Sequence, residues 1–282
     1  MRNDHVPAIE ARLPYLDTCD GPPVSYTDPG RRDSFTIAER AVRVANARSA
    51  EQPPSIEREG YLLLDWPSRI SALPSVEEIE TSYLPEVNQL LLELTGAARV
   101  FTFAPGLRFN ERSEHTDSRP NSRPARRVHS DFSDNGTLDM VIGAFGQDGK
   151  PPERGHWRAY NVWRVLSPPP QDTALAFCDM RSIDPGEIET AQGILTLPHG
   201  EEARYEFCLY RYGPAHRWAY FPNMNRDEVV VFLGYDSRSP NLRVAHSAFD
   251  DPTCPSGVPP RVSIEARAVA YFPEEEAAAC SS

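Results

Sequence analysis

The chain reads as a mainly β protein: a double-stranded β-helix, the wide-mouthed relative of the jelly roll, buttressed by helices. Three observations predict this class. From residue 99 onward the sequence breaks into short runs of β-branched and aromatic residues cut by Pro, Gly and Asp. Only one helical periodicity interrupts that succession, so strands do not alternate with helices as they do in βαβ units. The last run, from Arg261 to Val269, alternates polar and apolar side chains with a period of two, as a strand between unlike surroundings does.

Taken in order, residues 1–59 are rich in Pro, Asp and Arg and predict an irregular segment with one helical stretch over 34–50, after the turn at Asp28-Pro29-Gly30. Gly60 is followed by the apolar run 61–66, a strand. Ser75 with Glu78 matches a capping box and Gly96 supplies a stop, which predicts a helix over 75–95. Pro85 stands inside it as a kink or split. Its Leu90, Leu91 and Leu94 would pack on a sheet as a buttress. Strands are expected at 100–103, 128–132, 159–166, 174–178, 204–212, 218–221, 228–233, 242–246 and 261–272. Leu138, Val141, Ile142 and Phe145 recur at helical spacing and predict one helix among them. The expected organisation is a single domain, with the barrel over 60–272 and a disordered acidic tail over 273–282.

Composition narrows the function. A hydrophobic content of 40% in 282 residues suffices for a sizeable core. A net charge of −12 repels phosphate backbones and anionic membrane surfaces, which argues against a nucleic-acid or membrane partner. Any anionic ligand must therefore be met by local arginines. The five cysteines form no CxxC pair, no apolar leader precedes them, and no apolar run is long enough to span a bilayer. Cys280 stands one position too late for a prenylation box. These features predict a reduced cytoplasmic protein acting on a small molecule, with a homo-oligomer left open.

The chemistry concentrates in Val128-His129-Ser130-Asp131-Phe132. His129 and Asp131 lie two residues apart, and on a strand such residues share a face. A third ligand must come from elsewhere, and His246, on a predicted strand, is preferred to His115, His156, His199 and His216. Two histidines and one carboxylate with open positions opposite are the facial triad of non-haem Fe(II) oxygenases. A His-x-Asp alone is a weak motif and carries weight only with its context.

That context is the final strand. Arg261, Ser263, Glu265 and Arg267 share one face, with Val262, Ile264 and Ala266 on the other. Arg261 with Ser263 offers a planar cationic fork and a hydroxyl, suited to a carboxylate. A metal triad next to a carboxylate anchor is what a 2-oxoglutarate-dependent oxygenase requires. The alternative is a solvated face on which Glu265 pairs with the two arginines. Arg267 either binds cosubstrate or substrate, or simply pairs with Glu265. Trp163, Trp218 and Tyr220 either line a substrate pocket or belong to the core. Arg164 either meets substrate or cosubstrate or pairs with an acid such as Asp179. Asp134 is expected to cap the following helix.

The segments His129-Ser130-Asp131-Phe132, Tyr160-Asn161-Val162-Trp163-Arg164, 216–222, 228–237, 246–252 and 261–267 together resemble a family of non-haem iron oxygenases. It is the family of the cephem methoxylase subunit, the gibberellin desaturase and the fungal endoperoxide-forming enzymes of meroterpenoid synthesis. The similarity runs from about residue 60 to 272. It implies a double-stranded β-helix, Fe(II), 2-oxoglutarate and dioxygen, and a role in specialised metabolism. It also implies His129, Asp131 and His246 as iron ligands and Arg261 with Ser263 as the cosubstrate clamp. One departure is Phe103-Ala104-Pro105, where the family carries a Phe-Asp-His-like run, so no pocket role is assigned to that segment. The family reactions include hydroxylation, desaturation and ring or peroxide formation. Two rival classes are a cupin-like metal-binding protein or non-oxidative metalloenzyme, and a silent partner subunit of another enzyme.

Overall fold

The computed structural model describes residues 7–28, 30–110, 123–152, 154–197 and 199–274. The expected tail beyond 274 and His115 lie outside the described residues. In chain order the elements are β1 (Ala8–Cys19), β2 (Val24–Tyr26), β3 (Phe35–Asn46), β4 (Tyr61–Asp65), α1 (Val76–Glu78), α2 (Leu84–Thr95), β5 (Arg99–Phe109) and β6 (His129–Ser130). There follow α3 (Asp134–Phe145), β7 (His156–Val165), β8 (Thr173–Cys178), β9 (Ile188–Thr196), β10 (Glu202–Tyr210), β11 (Trp218–Tyr220), β12 (Glu228–Asp236), β13 (His246–Asp250) and β14 (Val262–Phe272).

Two sheets form the double-stranded β-helix. One has nine strands in the order β1-β3-β11-β8-β13-β6-β10-β9-β2, the other five in the order β4-β12-β7-β14-β5. Interleaved chain order within each sheet is what winding two strand layers into a helix produces. Phe177 on one sheet meets Phe232 on the other, with ring centroids 5.2 Å apart. Val87, Leu90 and Leu91 of α2 are buried in the same cluster as Val162, Ile264 and Ala266, so the helix does buttress the five-stranded sheet.

The helix itself follows its sequence signals with one change. The Ser75 side chain accepts from the Glu78 amide, as a capping box requires, but the Glu78 carboxylate turns to Ser71 instead of completing it. A π-helical stretch (Ile79–Tyr83) then precedes Pro85, which occupies the first turn of α2, where its missing N–H costs nothing. Gly96 ends α2 at φ 67°, the left-handed conformation that favours glycine.

The N-terminal segment corrects the expectation of irregular and helical structure. Residues 34–50 hold β3 and a short 3-10 turn, not a helix, and β1 pairs with β3 antiparallel over its length. The alternation was present: Ile9, Ala11, Leu13 and Tyr15 are buried while Glu10 and Arg12 are exposed. Pro14 argues against a strand, but β1 ends its sheet, and an edge tolerates proline. A second correction concerns 242–246, where the strand begins only at His246, and β9 was not anticipated.

Candidate metal centre

His129 and His246 face each other directly across adjacent antiparallel strands β6 and β13. Their rings lie 4.2 Å apart, centroid to centroid. The strand β6 ends at Ser130, and Asp131 follows as the chain turns toward Ser133, whose hydroxyl accepts from the Gly136 amide and caps α3. The cap is therefore Ser133, and Asp134 is instead drawn to Arg243 at 2.5 Å. Arg243 also donates to the Phe132 carbonyl at 2.9 Å, tying the turn after Asp131 to the segment that leads into His246. Phe132 fills the space left by Gly234, where any Cβ would overlap its ring.

One ligand atom each from His129, Asp131 and His246 lie within 4.8 Å of one another. Asp131 Oδ1 is 4.0 Å from His129 Nε2, and Oδ2 is 3.8 Å from His246 Nε2. The Nδ1 atoms point the other way, to the carbonyls of Arg127 at 2.8 Å and Val244 at 3.4 Å. A carbonyl only accepts, so each Nδ1 carries the proton and each Nε2 keeps its lone pair toward the carboxylate.

Electrostatics set the same protonation states. Burial, with the neighbouring His246, pushes His129 down to about 3, and burial likewise lowers His246. For Asp131 burial works upward, but the Arg267 guanidinium foremost and then the two histidines outweigh it and hold the carboxyl below its usual range. Two neutral imidazoles and an ionised carboxylate are the protonation states a divalent cation needs. Arg267 donates to Asp131 Oδ1 at 2.6 Å, and Asn161 donates to Oδ2 at 2.6 Å. These two residues are register partners across β14 and β7, so the sheet itself positions the clamp. Asn161 carried a readable signal, an amide in the middle of an apolar strand, which must find a partner when buried.

The triad opens into a cavity of about 650 Å³ between the sheets, lined also by Trp163, Arg261, Glu265 and Arg267. Arg261 is buried, with its guanidinium carbon 5.6 Å from the Trp163 ring centroid and its Nη1 donating to the Thr173 carbonyl at 3.3 Å. Ser263 is fully buried, and its hydroxyl meets no hydrogen-bond partner among the described residues. Glu265 bonds Arg108 at 2.5 Å and Arg267 at 3.4 Å, so the expected pairing with Arg267 is present within a longer chain of charges.

Of the four tentative pocket residues, only Trp163 lines the cavity. Arg164, its neighbour on the strand, points to the opposite face and donates to the carbonyls of Arg226 at 2.5 Å and Trp66 at 2.7 Å. It meets neither the cavity nor Asp179, which is held by Arg181 and Arg217. Trp218 and Tyr220 flank Ala219 and so face away from the interior. They belong to a separate buried cluster with Leu13 and Tyr15, and Trp218 donates to the Tyr15 hydroxyl at 2.8 Å. The other described histidines are elsewhere: His216 is buried between Tyr15 and Glu187, His156 stacks on Phe272, and His199 is exposed.

The structure adds lining residues that sequence reasoning did not assign. Pro105 and Gly106 line the cavity, so the 103–105 segment, to which no pocket role was assigned, does reach it through Pro105. Pro105 fits inside β5 because that strand is a sheet edge and its register with β14 shifts there. Phe35 and Ile37 of β3 also reach the wall.

Among curated proteins, the chain is 27% identical over 250 residues to the Fe(II)/2-oxoglutarate-dependent dioxygenase nvfI of Aspergillus novofumigatus, covering 86% of this chain and 87% of that protein. It is 25% identical over 256 residues to the hydroxylase/desaturase CTB9 of Cercospora beticola, covering 84% and 78%. The fold matches a solved structure of the iron and alpha-ketoglutarate-dependent endoperoxidase NvfI with a TM-score of 0.82 at 23% identity, over 95% of this chain and 99% of that one. Residues 13–271 match the family model described as oxidoreductase/YMDC permease-like domain. With a match over that span, the chain belongs to the oxidoreductase/YMDC permease-like domain family, and its relatives are fungal Fe(II)/2-oxoglutarate-dependent dioxygenases and hydroxylase/desaturases.

Proposed function

We propose that His129, Asp131 and His246 hold Fe(II), that Arg261 and Ser263 receive the distal carboxylate of 2-oxoglutarate, and that the protein oxidises an unactivated C–H bond of a small specialised metabolite. The observation that carries the reading is the convergence of the triad within 4.8 Å at a cavity that also presents Arg261. The donor set, two neutral imidazoles and one carboxylate, suits non-haem Fe(II). The unpartnered hydroxyl of Ser263 supports an oxyanion acceptor from outside the chain.

When bound, iron and 2-oxoglutarate supply the oxidising power, with dioxygen consumed and the oxo acid leaving as succinate and carbon dioxide. The chain's own residues orient and exclude. Backbone carbonyls of Arg127 and Val244 fix the imidazole tautomers, so the ligand geometry is set before metal arrives. Arg267 and Asn161 hold both carboxylate oxygens of Asp131 and stop it rotating. The Trp163 ring makes a cation–π contact with Arg261 and steadies its guanidinium against the wall. Phe232 and Leu175 line the interior near the histidines and limit water there. The names of the relatives span hydroxylation, desaturation and endoperoxide formation, and the reading includes all three outcomes. Both sheets share one core, which supports a single oxygenase domain. The four described cysteines are free thiols, which supports a cytoplasmic setting.

The reading is tested by calorimetric titration of 2-oxoglutarate into protein loaded with redox-silent Mn(II). Wild type is expected to bind, Asp131→Ala to lose both metal and oxo acid, and Arg261→Ala to keep metal while binding the oxo acid at least about tenfold more weakly. Metal binding with no 2-oxoglutarate response would replace the oxygenase by a metal-binding protein or non-oxidative enzyme on the same barrel.

A further inference from the structure

The cavity wall is cationic in a chain whose net charge is −12. Six arginines line it, and four of them are answered by carboxylates: Arg108 by Glu265, Arg267 by Asp131, Arg127 by Asp33 and Arg126 by Asp250. A fifth, Arg261, is assigned above to the cosubstrate. The sixth, Arg123, meets no carboxylate among the described residues. Its Nη1 donates to the carbonyls of Asn110 at 2.6 Å and Phe109 at 3.4 Å, which orients the guanidinium without neutralising it. Iron and 2-oxoglutarate together add no net charge, since a divalent cation and a dicarboxylate cancel, so they leave the Arg123 charge in place. A fixed cation in a concave wall concentrates anions there.

The same cavity has an apolar side. Ile37 on β3 and Tyr205 on β10 are 49% and 37% exposed, and both line the wall beside Phe207 and Leu195. An apolar patch set inside a cavity, next to polar groups, marks a ligand surface.

We propose that the substrate is an amphipathic anion, whose apolar body lies on Ile37, Tyr205 and Phe207 and whose carboxylate, or another oxyanion of the same charge, is held by Arg123. This rests on the oxygenase reading for the identity of the reaction, but the binding surface is a property of the chain alone. The anchor is distinct from Arg261, so cosubstrate and substrate anions do not compete.

The test uses two fluorescent probes that differ by one group: 1-anilinonaphthalene-8-sulfonate and the uncharged N-phenyl-1-naphthylamine. Each is titrated into metal-free protein and into protein holding Mn(II) and saturating 2-oxoglutarate. The sulfonate is expected to bind about tenfold more tightly than its neutral counterpart in the loaded protein. Arg123→Gln is expected to abolish that preference while leaving the neutral probe's affinity unchanged, and Ile37→Ser to weaken both probes. Equal affinities in wild type, a preference that survives Arg123→Gln, or displacement of the sulfonate by 2-oxoglutarate would each overturn the proposal. If Mn(II) and 2-oxoglutarate themselves fail to bind, the oxygenase reading falls. The probe preference of the metal-free protein, with and without Arg123, then still decides the anion site.

Discussion

Arg267 and Asp131 form a partly buried ion pair, Nη2 to Oδ1 at 2.6 Å, in which the arginine comes from the last strand and the carboxylate from the turn that follows β6. The pair links the five-stranded sheet to the turn after β6 beside the candidate metal centre, and it makes the charge of Asp131 tolerable before any cation is present. Removing one partner of such a pair leaves the other charge uncompensated, at a cost of about 2 kcal/mol, between that of an exposed and a fully buried pair. Arg267→Gln is therefore expected to lower the stability of the metal-free protein by about that amount. A bound divalent cation supplies the missing positive charge, so saturating Mn(II) should raise the melting temperature more in the variant than in wild type. Differential scanning fluorimetry with and without metal checks both halves, and an equal metal-induced rise in the two proteins would contradict the pairing.

Gly234 carries a packing constraint that bears on the same centre. A Cβ there overlaps the ring of Phe132, which is fully buried and adjacent to Asp131. Gly234→Ala should cost about 1–3 kcal/mol, as overpacking in a filled core does, and weaken metal binding by displacing Asp131. Chemical denaturation and a metal titration on the same preparation separate the two effects.

Asp179 offers a pH test that does not involve the candidate metal ligands. Burial works upward on its carboxyl, but hydrogen bonds from Arg181 and Arg217 outweigh it and lower the group below its ordinary value. A carboxyl depressed in the folded state stabilises above its unfolded pKa, near 4 by its type, and that contribution is lost as pH falls through the folded value. Both arginines are about half exposed, so the contribution at neutral pH is expected to be no more than about 1 kcal/mol. Asp179→Asn should lose that amount at pH 7 and flatten the fall in stability below about pH 4. Urea unfolding between pH 3 and 7 measures it.

The thiols should divide by environment. Burial pushes Cys178 up to about 12 and raises Cys208, whereas Cys19 and Cys254 are partly exposed. Iodoacetamide at pH 8 is expected to label Cys19 and Cys254 in the native protein and to reach Cys178 and Cys208 only after unfolding. Peptide mass spectrometry reads the order.

Part of the site was legible in the sequence, through short-range spacing and, on the last strand, a period of two. The shared face of Ser263, Glu265 and Arg267 follows from alternation on β14, whereas His129 and Asp131, close in sequence, come together through the turn that begins where β6 ends at Ser130 rather than through a continuous strand. The same rule, applied more strictly, separates Trp163, which lines the cavity, from Arg164, which does not, and turns Trp218 and Tyr220 outward about the inward Ala219. What could not be read was pairing at long range. That His129 and His246 are direct register partners depends on how β6 and β13 dock, and Asn161 meets Asp131 only because β7 and β6, from different sheets, come together there, with Arg267 opposite it on β14. The N-terminal strands were misread for a local reason. Pro14, which β1 tolerates as the edge strand, and the charged residues of 39–43 on its neighbour β3 mask the alternation.

The most direct test of the central claim is anaerobic addition of Fe(II) and then 2-oxoglutarate to metal-free protein, followed by visible absorption. The account predicts a weak charge-transfer band of the chelated oxo acid that is absent in Asp131→Ala and diminished in Arg261→Ala at the same oxo-acid concentration. Iron binding in wild type without that band would contradict the assignment of this cavity to a 2-oxoglutarate-dependent oxygenase.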